Sequence, residues 1–112
     1  MSITKISEDF FVGPQIEPKE VAALAQNGFR AVICNRPDNE QFGQPSAEAV
    51  GRAAAEVGMA FHYIPVVPGQ AGRKEVEAMA EALRASDGPI FAYCRSGARA
   101  ASLYQAARAT VG

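Results

Sequence analysis

Histidine and cysteine are nearly absent from this chain: one histidine and two cysteines in 112 residues. Two cysteines at positions 34 and 94 make no disulfide framework, and with a single histidine they make no zinc site. The N-terminus, MSITKISEDFF, lacks a cationic stretch running into an apolar one, so no signal peptide is expected. Both thiols are therefore expected free, in a reducing cytoplasm. No apolar run approaches the roughly 18 residues that a membrane-spanning helix needs. Charge of one sign is lacking too. Eleven Lys+Arg against twelve Asp+Glu leave a net charge of −1, which gives no general pull toward nucleic acid, so any anion site must be local. What remains is ordinary: 48% hydrophobic and 21% charged residues argue for one soluble globular domain over residues 1–112 and against disorder.

Short apolar segments alternate with helical patterns along the chain. Ile3–Ile6 and Phe10–Val12 read as strands, the second closed by Gly13-Pro14. Pro18 suits the first position of a helix that carries Val21, Leu24 and Ala25 on one face and stops at Asn27-Gly28. Ala31–Cys34 is apolar throughout, as a strand buried on both faces must be. A polar loop from Asn35 to Pro45 follows, too long for a mere connector. Ser46 then caps a helix with Ala47, Val50, Ala54 and Val57 inward, ending at Gly58. Phe61–Ile64 is the next strand, and Val76, Met79, Ala80 and Leu83 mark a helix over Arg73–Ala85. Ile90–Tyr93 reads as the last buried strand, before a final helix from about Arg99 with Leu103, Ala106 and Ala107 inward. The abrupt end on that helix suits a domain cut from a longer or fused protein. Strands separated by helices require crossovers, so the expected fold is α/β, a mainly parallel sheet with helices on both faces. Ligands on such sheets bind beyond the carboxyl ends of the strands, which points to the loops after Cys34, Ile64 and Tyr93.

The third of these loops carries the chemistry. Cys94-Arg95-Ser96-Gly97-Ala98-Arg99 lies between a buried strand and a helix N-terminus. The positive end of the helix dipole favours a thiolate there. Gly97 lets the backbone curl until successive N–H groups converge on one point, an anion cradle. Arg99 can offer a planar fork to a bound oxyanion, and Ser96 can donate to the sulfur. The alternative is an inert core thiol that happens to meet a glycine turn. Strand, cysteine, glycine, arginine and helix in this order favour a nucleophile.

The same residues carry a family resemblance. Tyr93-Cys94-Arg95-Ser96-Gly97-Ala98-Arg99, with Cys34-Asn35-Arg36-Pro37-Asp38 upstream, resembles the beta-lactamase-hydrolase-like, phosphatase-like domain family over essentially the whole chain. The resemblance implies the fold of dual-specificity cysteine phosphatases. It also implies, as partner, a metallo-beta-lactamase-fold domain resembling persulfide dioxygenases, fused or separate.

Two departures from cysteine phosphatases stand out. Those enzymes place five residues between Cys and Arg, usually with His before the Cys. Here four residues separate Cys94 from Arg99, and Tyr93 precedes the Cys. This six-residue loop resembles that of rhodanese sulfurtransferases, and a smaller cradle suits a persulfide sulfur better than a phosphate. The loop after Ile64, Pro65 to Gly72, also lacks the carboxylate that a phosphatase uses as general acid. Asp38 and Glu40 are the nearest substitutes, and nothing in the sequence places either. A thiolate leaving group needs no such acid. The expectation is therefore a sulfurtransferase that carries sulfane sulfur as a Cys94 persulfide, with Cys94 and Arg99 catalytic. Arg95, Ser96, Gly97, Ala98, Arg36 and Asp38 would bind a small anionic sulfur donor, a thiol would accept the sulfur, and neither metal nor cofactor is called for. The alternatives are a phosphatase working through a Cys94 phosphocysteine, and a non-catalytic anion- or persulfide-binding module. Cys34 is expected to be a core thiol, with a relay to Cys94 as the competing reading. His62, mid-strand and without metal-ligand spacing around it, reads as packed or at the surface.

Overall fold

Five four-residue strands form the sheet: β1 (Thr4–Ser7), β2 (Phe10–Gly13), β3 (Ala31–Cys34), β4 (Ala60–Tyr63) and β5 (Ile90–Tyr93). Four helices accompany them in this computed structural model, which describes residues 1–111: α1 (Val21–Gln26), α2 (Ala47–Glu56), α3 (Arg73–Ala85) and α4 (Ala98–Val111). Gly112, the last residue of the expected final helix, lies outside the described residues. Local signals set most boundaries. Pro18 opens a short 3-10 turn (Pro18–Glu20) that leads into α1, rather than the first turn of α1 itself. Ser46 Oγ accepts from the Ala49 N–H at 3.1 Å and so caps α2. Gly28 and Gly58, both at positive φ, stop α1 and α2.

The strand order is β1-β2-β5-β3-β4. Only the β1–β2 hairpin is antiparallel, and β2, β5, β3 and β4 run parallel. β5 is central and fully buried, so its run of Ile90-Phe91-Ala92-Tyr93 needs no polar face. Alternate residues of β5 and β3 feed two cores. On one face Ile33, Ile90, Ala92 and Cys94 pack with Met79 of α3 and Leu103 of α4. On the other Val32, Cys34, Phe91 and Tyr93 pack with Leu24 of α1 and Val50 of α2. Each fully buried Leu, Met or Phe contributes about 1.5–3 kcal/mol through apolar burial. Helices thus cover both faces, and the register alone assigns each side chain to one core or the other.

Candidate active site

Gly13, Tyr93, Cys34 and Tyr63 stand side by side across β2, β5, β3 and β4. The parallel ladder continues one step further: Asn35 N–H donates to Tyr93 O at 2.8 Å, and Ile64 N–H to Cys34 O at 2.9 Å. Cys94 is the first residue past this row on β5, buried at the carboxyl end of the sheet. Its chain turns at once. Gly97 adopts φ +100°, a conformation that glycine tolerates and other residues resist. That turn directs the Gly97 N–H onto Cys94 Sγ at 3.0 Å. It also presses Gly97 against β2, where an added Cβ would meet the Gly13 carbonyl carbon and oxygen at 3.3 Å. Gly13 has no spare room either, since a Cβ there would run into Ser2 O and the Phe91 ring. α4 begins immediately after, at Ala98, so its N-terminus follows directly on the loop that holds the sulfur.

Arg99 closes the cradle, and its partners are the main surprise of the site. Nη1 lies 2.6 Å from Glu40 Oε2 and Nη2 lies 2.8 Å from Glu40 Oε1, a bidentate pair. Nη1 also donates to Val66 O at 2.8 Å. Arg36 Nε holds the same Glu40 carboxylate at 3.0 Å, while its Nη1 and Nη2 donate to Gln15 Oε1 and Gln41 Oε1. Two guanidinium groups on one carboxylate hold Glu40 down to about 2, with Arg99 the larger influence. The same contact raises Arg99 above its ordinary value.

The structure distributes the other sequence-predicted residues unevenly. Arg36 reaches the site but is buried, so it holds Glu40 rather than facing an incoming ligand. Arg95 on the loop and Ala98 at the start of α4 are exposed. Ser96 Oγ, expected on the sulfur, instead accepts from the Ala98 N–H at 3.3 Å, and the Gly97 amide takes the sulfur in its place. Asp38 Oδ1 accepts from the Ala47 N–H at 2.8 Å, which commits that carboxylate to the start of α2. Tyr93, at the position where phosphatases usually have His, points away from the cradle into the opposite core and stacks near Phe91. Cys34 lies in that same core and donates its S–H to Arg36 O at 3.3 Å, and burial raises its thiol. It therefore faces away from Cys94. His62 is half-buried on β4, and burial lowers it. Among the described residues no three of His, Cys, Asp and Glu stand together in a way that could hold a metal ion, and no helix is long and apolar enough to cross a membrane.

A carboxylate on Arg99 was legible only as a candidate. Glu40 sits 59 residues from Arg99 in sequence, in a loop without periodicity, and no local signal ties the two.

Comparison with known proteins agrees with this geometry. A family profile described as "Beta-lactamase hydrolase-like protein, phosphatase-like domain" matches residues 2–111. The Beta-lactamase hydrolase-like protein of Xylella fastidiosa is 32% identical over 104 residues, covering 93% of this chain and 24% of that protein. The chain thus spans about a quarter of the length of the curated relatives it matches. Among solved structures, a candidate phosphatase of Neisseria meningitidis is 32% identical with a TM-score of 0.86, covering 100% of this chain and 80% of that one. P. aeruginosa TpbA, solved as a cysteine variant in complex with pTyr, is 16% identical with a TM-score of 0.59, covering 85% of this chain and 54% of that one, and shows the fold alone. The mostly parallel five-stranded sheet with its four helices is a cysteine-phosphatase-like fold. The chain belongs to the family of beta-lactamase hydrolase-like proteins, as their phosphatase-like domain.

Proposed function

We propose that this domain is a cysteine-dependent phosphatase acting on phosphate monoesters. The observation that carries this reading is Cys94 Sγ under the Gly97 N–H, in a loop that ends on Arg99, within a phosphatase-like family. The Cys94 thiolate attacks phosphorus, an S–P bond forms, and the P–O bond to the leaving group breaks. Loop N–H groups and the Arg99 fork carry the phosphoryl oxygens. Water then attacks the phosphocysteine, the S–P bond breaks, and inorganic phosphate leaves with the thiolate restored.

This reverses the preference drawn from sequence. Family membership and the phosphatase-like neighbours favour phosphoryl over sulfur transfer, and a carboxylate does stand at the cradle, supplied by Glu40. Sulfur transfer through a Cys94 persulfide is the second reading, supported by the four-residue spacing between Cys94 and Arg99. Purified protein assayed on aryl phosphates, and on thiosulfate with cyanide, tests both. Hydrolysis that falls roughly 10³-fold or more in Cys94→Ser is expected, as when the nucleophile of a covalent mechanism is removed. Cys94-dependent sulfur transfer without phosphate hydrolysis would overturn the phosphatase reading.

A further inference from the structure

The cradle already carries an anion of the protein's own. Glu40 occupies both terminal nitrogens of Arg99, the fork that a bound phosphoryl group would claim. A substrate that takes the Nη1/Nη2 fork of Arg99 takes it from Glu40, so the two anions compete for one cation.

Resting on the phosphatase reading above, we propose that Glu40 is the general acid of the reaction, armed when the substrate takes Arg99 from its carboxylate. Position supports this first. A carboxylate 2.6 to 2.8 Å from Arg99 stands beside whatever Arg99 binds next. Arg36 supplies the tether. Its side chain is 4% exposed, its outer nitrogens are anchored on Gln15 and Gln41, and its Nε keeps hold of Glu40 at 3.0 Å. Glu40 therefore stays at the mouth of the cradle after Arg99 turns away. Electrostatics shift toward the proton when Arg99 leaves. Arg99 is the largest influence holding this carboxyl down to about 2, burial and a phosphate dianion push the other way, and Arg36 alone still holds it down. The competing carboxylate is committed elsewhere, because Asp38 holds the Ala47 N–H. The loop after β4 offers no carboxylate from Pro65 to Gly72.

The step balances. When the substrate displaces Glu40 from Arg99, the freed carboxylate takes up one proton from solvent; as Cys94 sulfur bonds to phosphorus and the P–O bond breaks, that proton passes to the departing oxygen, which leaves as an alcohol or phenol. In the second step the Glu40 carboxylate takes a proton from the water that attacks phosphocysteine, and the S–P electron pair returns to Cys94. Glu40 ends protonated, as it began with substrate bound, and when phosphate leaves it gives that proton to solvent and pairs again with Arg99.

The test compares phenyl phosphate, a poor leaving group, with dinitrophenyl phosphate, a good one, in wild type, Glu40→Gln and Glu40→Asp. Glu48→Gln, at an exposed pair with Arg52, is the control. Glu40→Gln is expected to lose roughly 10²-fold or more in kcat/KM on phenyl phosphate, the range general acids supply, and little on dinitrophenyl phosphate. Inorganic phosphate should inhibit Glu40→Gln more tightly than wild type, because nothing charged competes for Arg99. Glu40→Asp should recover part of the loss, which separates the missing acid from a misfolded loop. Equal losses on the two substrates, or no tightening of phosphate inhibition, overturn the role of Glu40 while leaving the phosphatase reading intact. Wild type inactive on both substrates overturns the phosphatase reading and this role with it.

Discussion

At the scale of single residues the site is made by one glycine, one cysteine and three charges. Gly97 is the hinge of the cradle: its φ of +100° aims an N–H at Cys94 Sγ and lays the loop against Gly13. Gly97→Ala forces a side chain into a backbone conformation that costs L-residues about 1–2 kcal/mol. It also brings a Cβ to 3.3 Å from the Gly13 carbonyl, so one of the two strands of contact must give. The variant is expected to melt roughly 4–8 °C lower for each kcal/mol lost, read by circular dichroism. Its activity should fall more than its stability, because the amide moves off the sulfur. Unchanged activity would show that the Gly97 amide has no part in the chemistry. The charges balance one another as tightly. Arg36 and Arg99 looked in sequence like positive potential awaiting a ligand, and the fold places a carboxylate between them.

Elements obey their local signals where those signals are enough. Ser46 was readable as a cap because its partner, Ala49, is three residues away. Asp38 was not, because its Oδ1 reaches nine residues ahead to the Ala47 N–H across a loop. Sequence reading put Asp38 among the ligand-binding residues, and in the structure its carboxylate is spent on α2. Each of these caps satisfies a different orphan N–H of the same helix. Asp38→Ala is therefore expected to cost about 0.5–2 kcal/mol in urea unfolding, the usual worth of an N-terminal cap. No loss in Asp38→Ala would mean that water replaces the carboxylate at that amide. Helix α4 shows the same division of labour. Of its expected inward residues Leu103 and Ala107 are buried and Ala106 is exposed, whereas the stacking of Tyr104 on Phe10 at 4.0 Å depends on β2 lying beside it.

For the whole molecule, sheet register is the deciding variable. Cys34 pairs with Tyr93, so it shares Tyr93's face, and Cys94, one residue on, projects to the other. Adjacent strands bring the two backbones close, yet the Cβ vectors diverge across the sheet, and a disulfide needs them to converge. Mild oxidation is expected to leave no Cys34–Cys94 bridge, with both thiols open to alkylation after denaturation and counted by mass spectrometry. A mass lower by two hydrogens, with both thiols protected, would overturn this placement. The strand order also explains why four loops meet at one edge. β2, β5, β3 and β4 run parallel, so the turns after Gly13, Tyr93, Cys34 and Tyr63 all open on the same side.

Cysteine and histidine scarcity excluded disulfide and zinc scaffolds from composition alone. Alternation of apolar strands with helical stripes determined an α/β sheet covered on both faces, because burying each stripe admits few layer arrangements. The order Cys94, Gly97, Arg99 between a strand and a helix located the cradle, since these constraints act within six residues. Contacts between distant segments were decided only by the tertiary structure. These are Glu40 on Arg99, Asp38 on α2, and Cys34 turned away from Cys94. The physical reason is the same for each. Local sequence sets which conformations a short segment prefers, but which charges and thiols meet across the sheet depends on strand order and register, and those are set by how the two cores pack.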